Sequence, residues 1–170
     1  IGMEADVFVF DRSIDRLRDL DVIFSGRCST VYSTTLAVEE MLPLCDVVTI
    51  NAPLHPETEH MFDDEMIARM KRGAYIVNTA RGKICDRDAI VRALESGQLA
   101  GYAGDVWFPQ PAPQDHPWRT MPHHGMTPHV SGSSLSAQAR YAAGTREILE
   151  CWFEGRPIRE EYLIFYGGKL

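Results

Sequence analysis

The sequence predicts an α/β fold in which a doubly wound parallel sheet is covered by helices. Two observations carry this prediction. Short apolar runs of strand length alternate with segments whose apolar residues recur at helical spacing. Capping residues also precede several helical segments and glycines follow them, as helix ends prefer.

The first third of the chain contributes four predicted elements. Ala5 to Phe10 is a mostly apolar run of strand length that ends at Asp11. Ser13 can cap a helix through about Ile23, with apolar residues on one face. Arg27 to Tyr32 predicts a short second strand, and Val38 to Leu42 predicts a short helix.

The middle of the chain continues the alternation. Asp46 to Ile50 predicts a strand that stops before Asn51-Ala52-Pro53. Asp63 to Met70 predicts a helix that ends in two basic residues and a glycine, as the helix dipole favours. Ala74 to Val77 is the next strand, and Asp86 caps a helix through Glu95.

The last elements surround a long loop. Leu99 to Val106 predicts a strand that Gly101 and Gly104 interrupt. A proline-rich loop, Phe108 to Pro122, is too long for a simple connection and indicates either a functional role or a rigid surface arm. Gly125 to Pro128 predicts a last short strand. A long helix then starts at Ser133 or Ser134, runs to about Phe153, and stops at Gly155 and Pro157.

Composition restricts the possible partners. The 170 residues carry a net charge of −7 with no basic tract, so binding to nucleic acid or to an anionic membrane surface is not expected. No segment approaches the length of a membrane span. The four cysteines show no zinc-ligand spacing and favour a reducing compartment, so we predict no metal site.

Polar residues follow four successive predicted strands. Asn51, Arg81, Asp105 and His129 each lie at or just beyond a carboxyl end, which is the edge where open α/β sheets bind ligands. A guanidinium matches a carboxylate with two parallel hydrogen bonds, so Arg81 is a candidate anchor for a small acid. Taken alone, Arg81 could equally be a surface arginine or the start of a helix.

The start of the chain bears on the cofactor. Asp11 ends the first visible strand, where an acidic residue accepts hydrogen bonds from the adenosine ribose and favours NAD over NADP. Arg12 complicates this choice, because a guanidinium tolerates a 2′-phosphate. The glycine-rich turn that holds pyrophosphate is not found upstream of Asp11. We therefore predict a Rossmann-type sheet whose first strand and glycine-rich turn are missing.

From about Val38 onward the chain resembles NAD-dependent formate dehydrogenases of the D-2-hydroxyacid dehydrogenase superfamily. The resemblance covers about three quarters of the chain. It rests on long distinctive strings, namely Cys45 to His60 (CDVVTINAPLHPETEH), Lys71 to Lys83 (KRGAYIVNTARGK), Gly101 to Pro113 (GYAGDVWFPQPAP), Asp115 to Thr120 (DHPWRT), Met126 to His129 (MTPH) and Gln138 to Glu150 (QARYAAGTREILE).

The resemblance implies a role for each matching residue. Arg81 would bind the formate carboxylate, and Asn51 would orient the substrate near the transferred hydride. His129 would lie beside substrate and nicotinamide, hydrogen-bonded to Gln110. Asp105 would contact the carboxamide side of the nicotinamide. The remaining residues expected to contact NAD are Asp11, Arg12, Pro53, His55, Glu57, Thr79, Ala80, Ser131 and Gly132.

Gln110 supports formate over a 2-hydroxy acid. Oxidation of a hydroxyl group needs a general base to remove a proton, and a histidine tuned by a carboxylate commonly provides it. Formate oxidation transfers a hydride and releases no proton from the substrate. An uncharged glutamine beside the histidine therefore suits formate. This reasoning requires that Gln110 reaches His129.

Residues 1 to about 35 are more similar to the dinucleotide domain of alanine dehydrogenase. A chimera, a designed chain, a spliced sequence and a divergent natural protein would each explain the two resemblances. We expect residues 1–155 to form an incomplete dinucleotide-binding domain and residues 156–170 to lead toward a catalytic domain that is not present. The 170-residue chain alone is then expected to have little or no activity.

The resemblance leaves other functions open. The same superfamily contains reductases of glyoxylate and hydroxypyruvate, and a non-catalytic or designed domain could keep the fold. A homodimer is implied, with the long helix after His129 as the main contact. The implied location is the cytoplasm, or the mitochondrial matrix for an enzyme of the plant type.

Overall fold

The computed structural model describes residues 7–11 and 37–163. The predicted helix Ser13 to Ile23, the predicted strand Arg27 to Tyr32, and Arg12 lie outside these residues. The chain forms two compact units, Ile1–Pro128 and His129–Leu170. No helix in the described part of the chain has both the length and the apolar character needed to cross a membrane.

The first unit is built on a parallel sheet, as the alternating pattern predicts. The described residues of this unit contain four strands, β1 (Val47–Ile50), β2 (Ala74–Asn78), β3 (Leu99–Gly104) and β4 (His124–Met126). They pair in the order β1-β2-β3-β4, and every pair is parallel. Because all four strands point the same way, their carboxyl ends meet at one edge of the sheet.

Residues 37–163 contain four α-helices, three in the first unit and one in the second, with bounds close to those predicted. They are α1 (Ala37–Met41), α2 (Asp64–Ala68), α3 (Arg87–Glu95) and α4 (Leu135–Glu154). The predicted cap at Asp86 is confirmed, because its carboxylate accepts hydrogen bonds from the backbone N–H groups of Asp88 and Ala89. Asp63, predicted as the first residue of a helix, is instead the cap of α2, and its carboxylate accepts from the backbone N–H of Met66.

The core of the first unit lies between one face of the sheet and helices α2 and α3. Alternate strand residues such as Val48, Ile76 and Tyr102 are buried. Helix α3 buries one stripe against this face, and its members are Ala89, Ile90, Ala93 and Leu94. Trp118 joins the same cluster and is 1% exposed. The sequence shows both patterns, since buried residues alternate along the strands and recur at helical spacing along α3.

Two strand predictions are wrong in part. The described residues of the predicted first strand, Val7 to Phe10, lie outside every strand, since an apolar run does not by itself supply a hydrogen-bonded neighbour. Strand β3 runs as one element from Leu99 to Gly104, two residues shorter than predicted. The predicted irregularity at Gly101 appears as a shift of register with β2, because Ala74 pairs with Leu99 and the next residue, Tyr75, pairs with Gly101. A Cβ at Gly101 would lie 2.9 Å from ring carbons of Tyr75, so glycine allows that ring to cover the strand.

The second unit contains α4 and the segment after it. The Ser134 hydroxyl accepts a hydrogen bond from the backbone N–H of Ala137, so Ser134 is the cap of the two serines considered. Gly155 ends the helix in the left-handed conformation with φ 65°. The following residues return to the helix, where the Arg159 guanidinium donates to the Glu147 carboxylate at 2.5 Å.

Candidate active site

The carboxyl ends of the strands are aligned in register. Ile50 pairs with Asn78, Asn78 with Gly104, and Gly104 with Met126. The residues that follow these four positions therefore emerge at one edge. This alignment brings Asn51, Thr79 and Asp105 to the edge at which ligands bind in folds of this kind.

The turn after β2 is organised around the side chain of Asn78, which is fully buried. Its Oδ1 accepts a hydrogen bond of 3.0 Å from the backbone N–H of Ala80. Its Nδ2 donates to the backbone carbonyl of Arg81 at 2.9 Å and to the Cys85 thiol at 3.5 Å. One carboxamide at the end of β2 thus holds the backbone of the two residues that follow Thr79, which is itself exposed.

Two titratable groups, the Cys85 thiol and the Tyr102 phenol, lie beneath this turn. Burial raises the pKa of the Cys85 thiol to about 12 and raises the pKa of Tyr102 well above its usual value. The Tyr102 hydroxyl faces Asn78 and Cys85, yet it has no hydrogen-bond partner of ordinary geometry in the described residues. The thiol and phenol are therefore neutral at physiological pH.

An open groove of about 410 Å³ lies beside the turn. Four predicted site residues and two neighbours line it, namely Asn51, Ala52, Pro53, Leu54, Ala80 and Arg81. The Arg81 guanidinium is exposed and donates one hydrogen bond of 2.7 Å to the carbonyl of Ala80. Within residues 7–11 and 37–163 Arg81 makes no ion pair, so further N–H donors can receive a carboxylate.

Asp105 lies at the end of β3 and is 4% exposed. The Thr127 hydroxyl donates a hydrogen bond of 2.5 Å to its carboxylate. The backbone N–H of Asp105 donates to the carbonyl of Asn78, and the N–H of Thr127 donates to that of Gly104. These bonds fix the Asp105 carboxylate next to the ends of β2 and β4.

Hydrogen bonds from the side chains of His116 and Arg119 hold the backbone of the proline-rich loop that carries Gln110. The His116 ring, 2% exposed, donates from Nε2 to the Phe108 carbonyl at 3.0 Å. Its Nδ1 accepts from the backbone N–H of Trp118 at 3.2 Å, which assigns the proton to Nε2. The Arg119 guanidinium donates to the carbonyls of Ala112 and Pro113. Gln110 itself is exposed.

His55 and Glu57 lie in the exposed loop that follows the groove. The Thr58 hydroxyl closes this loop, because it accepts from the backbone N–H of His55 and donates to the carbonyl of Pro53, both at 2.8 Å. These two hydrogen bonds hold the backbone of the loop next to Pro53, which lines the groove.

The second unit begins at His129, so the predicted contact between His129 and Gln110 stays a prediction. His129 has a positive φ of 63°. Ser131 and Gly132 belong to the short 3-10 turn Ser131–Ser133. Asp11 is among the described residues, and its predicted contact with the ribose likewise stays a prediction.

Sequence reasoning missed three residues that organise this site, namely Asn78, His116 and Thr127. For Asn78 a signal was present, since an amide that ends an apolar strand must find hydrogen bonds when it is buried. For the other two no local signal distinguishes them, because their partners are distant in sequence.

The lining of the groove leaves space for a small-molecule ligand. Small side chains at Ala52 and Ala80 leave room beside Arg81, and Asn51 adds an exposed polar group to the lining. Its volume lies in the range of small-molecule sites. A lining of small and polar side chains of this kind is compatible with a dinucleotide cofactor.

A parallel sheet with such a groove at its carboxyl edge defines a nucleotide-binding domain of the doubly wound α/β class. The family described as "D-isomer specific 2-hydroxyacid dehydrogenase, NAD binding domain" matches residues 2–131. The chain belongs to this family. The Rossmann-type fold predicted from the sequence is thereby confirmed.

Similar proteins are formate dehydrogenases. That of Pseudomonas sp. (strain 101) is 79% identical over 132 residues, which are 78% of this chain and 33% of that protein. A solved Granulicella formate dehydrogenase gives a TM-score of 0.76 at 66% identity, covering 88% of this chain and 39% of that one. The NAD complex of the Staphylococcus aureus enzyme gives a TM-score of 0.69 at 50% identity, covering 80% of this chain and 40% of that one. This chain thus spans about a third of the Pseudomonas protein.

Proposed function

We propose that this chain is the cofactor-binding part of an enzyme that oxidises formate to carbon dioxide and reduces NAD⁺ to NADH. The observation that carries the proposal is the exposed Arg81 guanidinium on the groove at the carboxyl edge of the sheet. High identity to formate dehydrogenases over most of the chain supports the choice of substrate.

Arg81 is proposed to bind formate through its carboxylate. Its hydrogen bond to the Ala80 carbonyl restricts the guanidinium while leaving other N–H groups for two parallel bonds to the acid. Bound NAD⁺ supplies the hydride acceptor. The C–H bond of formate breaks with its electron pair, the carboxylate becomes carbon dioxide, and no proton leaves the substrate. The protein therefore orients the acid and stabilises charge.

Gln110 and His129 are proposed to complete the substrate site, with Asn51 orienting formate. A neutral glutamine partner leaves the imidazole without the carboxylate that a general base for hydroxyl oxidation requires. Asp105, Ser131 and Gly132 are assigned to the nicotinamide side, and Asp11 and Arg12 to the adenosine ribose. Pro53, His55, Glu57, Thr79 and Ala80 are assigned to the cofactor groove.

A comparison of substrates tests the proposal. The parent enzyme that carries this chain should reduce NAD⁺ with formate at a higher kcat/KM than it shows in the reduction of glyoxylate or hydroxypyruvate with NADH. Gln110→Glu should lower kcat/KM for formate and introduce a pH dependence, whereas Gln114→Glu, four residues further along the exposed loop, should change neither. Preference of the unmodified enzyme for the 2-oxo acids would contradict the proposal.

The alternative is a 2-hydroxyacid dehydrogenase that acts on glyoxylate or hydroxypyruvate. Membership of the D-isomer specific family favours this candidate. The same substrate comparison distinguishes the two, because the alternative requires the 2-oxo acids to be the faster substrates. An enzyme inactive on both classes would contradict both candidates.

A homodimer is proposed from the surface of α4. Leu135, Leu149 and Phe153 are exposed on one stripe of that helix, and the last of these is 82% exposed.

The compartment proposed is the cytoplasm, or the mitochondrial matrix for a parent enzyme of the plant type. Support comes from Cys45, Cys85 and Cys151, which are free thiols.

A further inference from the structure

We infer that Gly82 is a positioning residue that joins the turn carrying Arg81 to the loop carrying Gln110 and so sets the spacing of the substrate site. The importance of this spacing for catalysis rests on the proposed function. The contact itself stands on geometry alone, within the first compact unit.

Gly82 is in direct backbone contact with the start of the proline-rich loop. A Cβ at this position would lie 2.5 Å from the carbonyl carbon of Trp107, 2.7 Å from its oxygen and 2.9 Å from the nitrogen of Phe108. All three are main-chain atoms, which cannot move aside as a flexible side chain can. Glycine is therefore required here for close approach.

Backbone conformation does not explain this glycine. Its φ lies outside the left-handed region, unlike those of Gly73, Gly97 and Gly155. Other residue types could adopt the conformation of Gly82 without strain. The requirement comes from the Trp107–Phe108 backbone, and Gln110 is two residues beyond it.

Side chains hold the loop against Gly82 from several directions. The Lys83 ammonium lies 4.6 Å from the centre of the Phe108 ring. The Trp107 indole N–H donates to the Thr127 carbonyl at 2.8 Å. His116 binds the Phe108 carbonyl from the buried side. The loop is thus fixed on its outer and inner faces where it crosses Gly82.

The turn on the other side of the contact is equally fixed. The Asn78 carboxamide holds the backbone of Ala80 and Arg81, and Arg81 is directly bonded to Gly82. Arg81 and Gln110 are therefore linked through a short, rigid path of main chain. An added methyl group at Gly82 would have to push the turn and the loop apart by nearly 1 Å before its carbon reached ordinary contact distance from the Trp107 backbone. Misplacement of that size can cost about 100-fold in rate.

The test is Gly82→Ala in the parent enzyme, with Gly125→Ala in β4 as the matched control. At Gly125 a Cβ would meet only the Cβ of Ala103, at an ordinary 3.6 Å. Gly82→Ala should lower kcat/KM for formate by roughly 100-fold while the dissociation constant of NADH stays within about twofold. Gly125→Ala should change neither. A Gly82→Ala enzyme that is folded and keeps formate kcat/KM within about threefold would overturn the inference.

A second variant covers the case in which Gly82→Ala does not fold. Lys83→Met removes the cation over the Phe108 ring without adding a clash, and Lys71→Met is its control, because Lys71 forms a surface ion pair with Asp46. Glu59→Gln controls for the loss of the Lys83–Glu59 pair. Lys83→Met should lower formate kcat/KM about threefold, beyond any effect of the controls. Equal kinetics in all three would contradict the inference.

A structural readout separates this inference from the proposed function. In ¹⁵N-labelled 170-residue chain, Lys83→Met should shift the Phe108 amide and Trp107 indole resonances and leave the Trp152 indole unchanged. If the parent enzyme fails to oxidise formate, the proposed function fails and these resonances still decide the contact. Unshifted Phe108 and Trp107 signals would refute the contact itself.

Discussion

The carboxamide of Asn78 donates a hydrogen bond of 2.9 Å to the backbone carbonyl of Arg81. This bond joins a residue that is fully buried at the end of a strand to one that is exposed on the ligand groove. A core side chain therefore fixes the backbone from which the proposed carboxylate anchor projects. The site is built on a rigid element, which precise orientation requires.

Replacement of Asn78 tests this bracing. Asn78→Leu leaves the Ala80 N–H and the Arg81 carbonyl without their partner, so unfolding free energy should fall by about 2–4 kcal/mol. Urea denaturation of the 170-residue chain measures the effect. Asn51→Leu is the control, since Asn51 is exposed and should change stability by no more than about 0.5 kcal/mol. Equal losses in the two variants would argue against bracing by Asn78.

Arg81→Lys tests the bidentate anchor. A single ammonium cannot reproduce two parallel hydrogen bonds, so KM for formate in the parent enzyme should rise about 10- to 100-fold. The KM for NAD⁺ should change little. Arg87→Lys is the matched control, because Arg87 pairs with neighbouring Asp88 on the surface. An unchanged KM for formate in Arg81→Lys would exclude this residue as the anchor.

Tyr102→Phe should be tolerated or stabilising, by up to about 1 kcal/mol. The Tyr102 hydroxyl is buried and lacks a hydrogen-bond partner in the described residues, so its removal relieves a desolvation cost. Tyr75→Phe is the control at a ring that is 49% exposed. Thermal unfolding of both variants provides the measurement. A loss above about 1 kcal/mol in Tyr102→Phe would show that the hydroxyl is satisfied.

Stability should fall as pH rises above about 9. Burial raises the pKa of Cys85 from 9.0 to about 12, so the folded protein keeps a proton that the unfolded chain loses. The folded state then binds more protons, and unfolding free energy decreases with pH between these two values. Cys85→Ala should flatten this decline in urea titrations at several pH values. Burial also raises the pKa of Tyr102, which acts in the same direction, so some decline should persist.

The exposed stripe of α4 predicts a homodimer that a charge would disrupt. Phe153 is 82% exposed on this stripe, and Phe153→Glu should shift the protein toward monomer in light scattering. Leu44→Glu is the control, at an apolar residue that is 53% exposed outside α4. A wild-type protein that is already monomeric would refute the proposed dimer.

The strands and caps were predictable because their signals are local. Asp86 precedes a helical stripe and caps α3, and Ser134 does the same for α4. Apolar runs at residues 46–50 and 74–77 became β1 and β2 with changes of one residue. The positions of Asn51, Arg81 and Asp105 beyond strand ends followed from the same local pattern.

Other features depended on contacts between distant residues. Gly101 was expected to interrupt a strand, and the structure shows a shift of register there together with close approach by the ring of Tyr75. Glycine is required at position 82 for a similar reason, because the backbone of Trp107 leaves no room for a side chain there. A glycine in sequence indicates that a side chain is absent, and only the folded structure shows whether the reason is conformation or close approach.

The sequence by itself determined the parallel α/β class, the edge at which polar residues collect and the resemblance to formate dehydrogenases, because periodicity, caps and motif strings are written along the chain. Tertiary structure alone decided that Asn78 braces the turn at Arg81 and that Gly82 brings that turn onto the loop of Gln110. The physical reason is that burial, hydrogen-bond partners and close backbone approach are properties of residue pairs brought together by folding.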